Sequence, residues 1–164
     1  MATISLERGI DAPPEVVWAV VTDPEVYEAV APNLTSVEIV SGEGVGMVRR
    51  RVDTDGSEWT ERVTRWDEPR EFAVAVDVAD SEFHRRLFHR FEGQWTVTER
   101  DGAAVIEMRF DYDTKYGPVG WLVSKRFAHR APSLMERIFD GWEAEVGSRL
   151  GEGEPTPGFV PGEG

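Results

Sequence analysis

A chain of 164 residues with 40% apolar and 30% charged side chains is long enough for one ordinary domain with its own core. It has no cysteine, which excludes a disulfide scaffold, a thiolate zinc site and a thiol nucleophile together. Acidic residues outnumber basic ones 31 to 18, a net charge of −13, and such a surface repels phosphate backbones, so no nucleic-acid partner is expected.

No apolar run approaches the ~20 residues of a membrane span. Met1-Ala2-Thr3 leads directly into an alternating segment, so a cytoplasmic protein without export signal or membrane span is expected. Lys115 and Lys125 are the only lysines. An acidic, lysine-poor surface suits a high-salt cytoplasm or the Arg-rich codon usage of a GC-rich genome, and the sequence leaves both open.

In chain order, Ile4, Leu6, Arg8 and Ile10 alternate and predict a first strand. Asp11-Ala12-Pro13-Pro14 ends it and opens a short apolar helix through Val21, with Asp11 or Ala12 near the cap. Thr22 or Asp23 with Pro24 starts a second short helix, broken by Pro32. Six more strands follow: one around Val37 and Ile39, then Met47–Asp53, Glu58–Trp66, Phe72–Val78, Phe83–Val97 and Ala104–Asp113. Turn chemistry separates them, including Gly42-Glu43-Gly44, Asp55-Gly56 and Asp101-Gly102. Clean alternation implies an antiparallel sheet with one wet and one buried face.

Gly117-Pro118 opens a helical stretch to about Leu150, ~50 Å if straight. Its apolar positions recur every three or four residues, and Pro132 is expected to kink or interrupt it. Residues 151–164 are too rich in Gly and Pro to fold and read as a tail beyond a single domain of residues 1–150. One apolar helix stripe beside one apolar sheet face implies that each covers the other. The fold class is therefore α+β.

The entry Ile10-Asp11-Ala12-Pro13-Pro14-Glu15-Val16-Val17-Trp18 has further company in Val63-Thr64-Arg65-Trp66-Asp67-Glu68-Pro69-Arg70, Phe91-Glu92-Gly93-Gln94-Trp95 and the helix from Gly117. Together they resemble the helix-grip fold of the START/Bet v 1-like (SRPBCC) superfamily, in its polyketide cyclase/dehydrase and ligand-binding branch, over about residues 3 to 150. The resemblance implies a seven-stranded curved antiparallel sheet around a long C-terminal helix, with two short helices after the first strand. It does not fix a function, because the fold hosts binders, cyclases, chaperone-like activators and lipid carriers.

Parity predicts the lining of a cavity between sheet and helix. Phe72, Val74, Phe83, Phe91, Trp95, Met108 and Phe110 come from the strands, and Met135, Ile138 and Trp142 from the helix. Such a lining takes an apolar, drug-sized molecule. Among the apolar positions stand three polar residues: Arg8, Arg50 and His89. An inward arginine needs a carboxylate, water or a ligand, so these cations are candidates to hold an anionic or enol-like group.

Trp59-Thr60-Glu61-Arg62 resembles the Trp-Thr-x-Arg context of the superfamily's aromatase/cyclases. The match implies that Arg62 holds a substrate carbonyl and stabilises its enolate. Asp140 matches the family's acid on the long helix. Phe110 stands where its histidine would be, leaving His89 and Tyr112 as candidate acid/base groups.

His84, His89 and His129 lack any metal spacing, so no metal and no cofactor are expected. The glycines of 42–46 join two strands and lack the features of a phosphate loop. The first expectation is a binder of a hydrophobic, aromatic, polyketide- or quinone-like molecule, monomeric or weakly dimeric. The alternatives are a cyclase/aromatase or dehydratase using the same cavity, and an interaction module like the chaperone activators that share this fold.

Overall fold

The alternation at the start of the chain becomes β1 (Ala2–Ile10), with Ile4 and Ile10 buried. A computed structural model describes residues 1–152. Most of the segment expected as a tail lies outside them, while Gly151 and Glu152 complete the last helix rather than starting a tail.

Two prolines set the next elements. Pro13 caps α1 (Pro14–Val21) in extended conformation, one or two residues later than Asp11 or Ala12, and Pro14 occupies the first turn, where no N–H is needed. Asp23 caps α2 (Pro24–Val30), its carboxylate accepting from the amides of Glu25 at 2.9 Å and Val26 at 3.4 Å. Then come β2 (Leu34–Ser41), β3 (Val48–Asp53), β4 (Glu58–Asp67), β5 (Glu71–Val76), α3 (Glu82–Leu87), β6 (Phe88–Arg100), β7 (Ala103–Thr114) and α4 (Gly117–Glu152). The strands form one curved antiparallel sheet in the order β1-β7-β6-β5-β4-β3-β2, and α4 lies in its concave face.

Two expectations need correction. The segment from Phe83 is not strand until Phe88, because α3 intervenes. Phe83 and Leu87 are four residues apart, which suits a helix turn as well as a strand face, and the Ser81 hydroxyl accepts from the His84 amide to cap the helix. Pro132 does not interrupt α4, which is assigned continuously through it. The carbonyl that Pro132 leaves without a donor is that of Ala128, an exposed residue, where solvent can serve.

Close packing of α4 relies on Gly141. A Cβ there would lie 2.5 Å from the Cβ of Val30, so only glycine lets α4 pass α2 at this distance. Around this crossing Tyr27, Phe139 and Trp142 are buried, with Tyr27 and Trp142 ring centroids 5.7 Å apart.

Candidate functional site

Residues 47–52 face the opposite way from the expectation. Met47, Arg49 and Arg51 point into the fold, while Arg50 turns outward to Glu58 at 2.5 Å, and so is not a cavity residue. The reason lies on β4. Arg49 pairs in register with Glu61, a buried carboxylate, while Arg62 is exposed on the outer face, away from the position the cyclase resemblance gave it. An inward arginine is tolerated where such a partner exists. Val48 and Val52 take the half-buried outer positions.

Glu61 holds two guanidinium groups. Its Oε1 accepts from Arg49 Nε at 2.8 Å and Arg49 Nη2 at 2.5 Å. Arg51 Nη2 stands 2.8 Å from the same oxygen as an ion pair, off the hydrogen-bonding axis. Burial alone would raise the pKa of Glu61, but the charges of Arg51 and Arg49 outweigh it and hold the carboxyl below its ordinary range. The cluster therefore carries a net positive charge inside the protein. Arg51 also lies over the Tyr27 ring, 4.5 Å from its centroid.

Next to this cluster is a cavity of about 250 Å³ between the sheet and α4. Val74, Phe91, Trp95, Met108 and Phe110 border it from the sheet, Phe83 from α3, and Met135 and Ile138 from α4. Phe72 and Trp142 are buried behind it. Phe72 stacks on Trp95 with centroids 4.8 Å apart, and Trp142 packs on Phe139. Trp95 folds back over Gly93, where a Cβ would meet the indole at 2.7 Å.

The other nominated polar residues lie elsewhere. Arg8, on the edge strand β1, reaches over α4 to Glu136, to Asp140 at 2.8 Å and to Glu143 at 3.0 Å. Asp140 is thus an exposed partner of Arg8, outside the cavity wall. His89 is exposed, because a bulge between Phe88 and Arg90 shifts the parity and turns Phe88 inward instead. Tyr112 is buried and inward, yet it packs among Phe88, Phe91 and Phe127, with its hydroxyl 3.4 Å from Ser124 Oγ, and is not on the wall. Arg62, His89, Tyr112 and Asp140 do not converge.

Polar residues the sequence reading missed do border the space: Arg51, Glu61 and His84, and also Asn33, Asp53, Asp55 and Ser57. Two signals were available, the arginine run facing Glu61 across a hairpin and Ser81 three residues before His84. Ser81 Oγ accepts from the His84 amide at 3.3 Å and lies 2.7 Å from His84 Nδ1. Which of Ser81 Oγ and His84 Nδ1 donates depends on the imidazole tautomer. Burial lowers the His84 pKa to about 4 against the opposing charge of Glu61, so the ring is neutral at pH 7.

Among the described residues, the buried side-chain polar atoms without a hydrogen-bond partner are Arg51 Nε and Nη2, Trp95 Nε1 and Trp142 Nε1. Three of these four are donors on residues of the cavity wall. Among the described residues no group of three His, Asp or Glu is arranged to hold a metal ion, and no helix is long and apolar enough to cross a membrane.

An antiparallel sheet gripping a C-terminal helix, with apolar space between them, defines a helix-grip protein of the Bet v 1-like (SRPBCC) superfamily. Within it, the chain belongs to the polyketide cyclase/dehydrase and lipid transport family, whose profile matches residues 1–147. Solved structures of the same fold include TTHA0849 from Thermus thermophilus, at 22% identity and TM-score 0.73 over 90% of this chain and 99% of that one. The Zhui aromatase/cyclase from Streptomyces sp. R1128 aligns at 18% identity and TM-score 0.74, over 91% of this chain and 95% of that one. Ara h 8.0201 aligns at 21% identity and TM-score 0.68, over 90% and 98%. No curated protein sequence matches the chain significantly.

Proposed function

We propose that this protein binds a hydrophobic small molecule, aromatic and polyketide- or quinone-like, in the cavity between sheet and α4, with an oxygen of the ligand received by Arg51. The observation that carries this reading is the buried Arg51 guanidinium, 5% exposed, with Nε unpaired and Nη2 held to Glu61 only as an ion pair, at the edge of a largely apolar space. A buried donor without an acceptor costs about 1–3 kcal/mol, more for a charged one, and a ligand carbonyl, enolate or carboxylate removes that cost. Trp95 Nε1 adds a second unpaired donor on the same wall, which favours a ligand that carries an acceptor. The volume suits a small fused-ring body.

The test is fluorescence titration of the wild type and Arg51→Met with 2-naphthoate and with 2-naphthylmethanol. Arg51→Met leaves Arg49 and Glu61 as a neutral pair, so folding should survive. The expected result is tighter binding of the carboxylate by the wild type, by about tenfold or more, and loss of that preference in the variant. Binding of neither compound overturns the reading. Equal binding of both by both proteins keeps the cavity and removes Arg51 as its polar end.

The same donors also favour a second reading, in which the cavity catalyses cyclisation or dehydration of a polyketide. Donors aimed at a developing enolate lower the barrier to such chemistry. Turnover lost in Arg51→Met while 2-naphthylmethanol still binds would distinguish this from binding alone.

A further inference from the structure

The start of α4 concentrates exposed apolar and cationic side chains in one place. Elsewhere most exposed positions are polar and acidic, but Tyr116, Val119, Trp121 and Leu122 are each at least 60% exposed. Between Asp113 and Glu136 the chain has no acidic residue, yet it carries Lys115, Lys125, Arg126 and Arg130, including both lysines of a protein with net charge −13. Exposed apolar groups in one place mark an interaction site more often than a neutral surface.

The geometry is that of one helix end. Gly120, Phe127 and Ala131 turn toward the sheet, and a Cβ at Gly120 would lie 1.9 Å from the Lys115 carbonyl oxygen, so the first turn is pressed against its own entry. Trp121, Leu122, Lys125, Arg126 and His129 are left facing solvent. Lys125 sits against the Trp121 ring, 5.5 Å from its centroid, and Lys125, Arg126 and Arg130 form no ion pair among the described residues. By contrast, Arg90, Arg100 and Arg109 on the sheet are each paired with a carboxylate. An apolar, aromatic tip with a collar of unpaired cations is the pattern of a segment that lies in a membrane interface.

We infer that this end of the molecule docks reversibly on an anionic lipid surface, with Trp121 and Leu122 entering the headgroup region and Lys125, Arg126 and Arg130 facing lipid phosphates. Charge selects this occupant, because the patch is locally cationic while the remaining surface is acidic. The inference stands apart from the ligand reading, since none of these residues borders the cavity.

The experiment is co-sedimentation of the full chain with vesicles of phosphatidylcholine alone and of equal parts phosphatidylcholine and phosphatidylglycerol, at physiological salt. Each cation near an anionic surface contributes about a fivefold gain in partitioning, so the mixed vesicles should bind at least tenfold more protein. Lys125→Gln with Arg126→Gln should lower that binding by about 25-fold. Trp121→Ser with Leu122→Ser should abolish it together with the blue shift of tryptophan emission. All four residues are exposed, and circular dichroism checks that the variants fold. Absence of vesicle binding, binding unchanged by the variants, or a homodimer in sedimentation velocity that Trp121→Ser with Leu122→Ser dissolves would each overturn the inference.

Discussion

His84 should make the protein lose stability on mild acidification. The ring is 5% exposed, held by Ser81 and walled by Trp59, Phe88 and Phe91, with centroids 5.3, 6.0 and 5.4 Å away. Its pKa falls from 6.5 to about 4 on folding. Between those values the unfolded chain binds a proton that the folded one refuses, so lowering the pH favours unfolding. From pH 7 to pH 5 the linkage amounts to about 2 kcal/mol, which for a domain of this size lowers Tm by about 4–8 °C.

The assay is urea unfolding of the wild type and His84→Gln at both pH values. Glu61 stays ionised throughout this window because its pKa is depressed, so it does not add to the difference. Relief of general negative repulsion on acidification is shared by the two proteins and cancels. His84→Gln is expected to keep about 2 kcal/mol that the wild type loses. Parallel pH dependences, or an NMR titration of the His84 ring with a midpoint near 6.5, would refute the assigned burial of a neutral imidazole.

The triad makes a larger prediction. Glu61→Gln leaves two buried guanidiniums without a counter-charge and should cost about 3–5 kcal/mol by chemical denaturation, partly recovered when Arg51→Met is added. An effect below about 1 kcal/mol would mean that water reaches the cluster. At Gly93 an added methyl meets Trp95 at 2.7 Å and Phe110 at 3.2 Å. Gly93→Ala is expected to lose about 1–3 kcal/mol and to change Trp95 emission, and an unchanged spectrum would contradict the packing of that indole over the strand.

The order of elements was legible because turns and caps are local. Asp23 and Pro24 announce a helix start within adjacent letters, and the apolar spacing of Met135, Ile138 and Trp142 announces which face of α4 is covered. The site was less legible because its polar residues are placed by partners distant in sequence. Counting apolar letters on β3 assigns Val48 and Val52 inward, yet twelve residues after Arg49 stands Glu61, which reverses that face by supplying a carboxylate that Arg49 can use. A bulge between Phe88 and Arg90 sends His89 to solvent, since a slip of one residue exchanges the two faces of a strand. Phe83 and Leu87 carry a spacing common to both periods, and only Ser81 as a cap decides for helix. Parity places Arg8 inward, and its side chain is indeed on the helix side. At a sheet edge, however, that direction leads to the carboxylates of α4 rather than to the interior.

The segregation of charge follows from these placements. The surface holds most of the surplus of carboxylates, while the inner face of β3 and β4 holds two arginines for one glutamate. In water such an imbalance would be screened within a Debye length, but on this side of the cavity the walls are Val74, Phe91, Trp95 and Met108, which screen it less. Glu61 cannot neutralise both partners, because one negative charge faces two guanidiniums, and Arg49 donates two hydrogen bonds to Oε1 while Arg51 meets the same oxygen only as an ion pair. Arg51 Nε and Trp95 Nε1 are thus left without an acceptor on the cavity wall. On the proposed reading, apolar contact supplies affinity for many ring systems alike, and the choice among them rests on whether an oxygen of the guest can reach that one guanidinium.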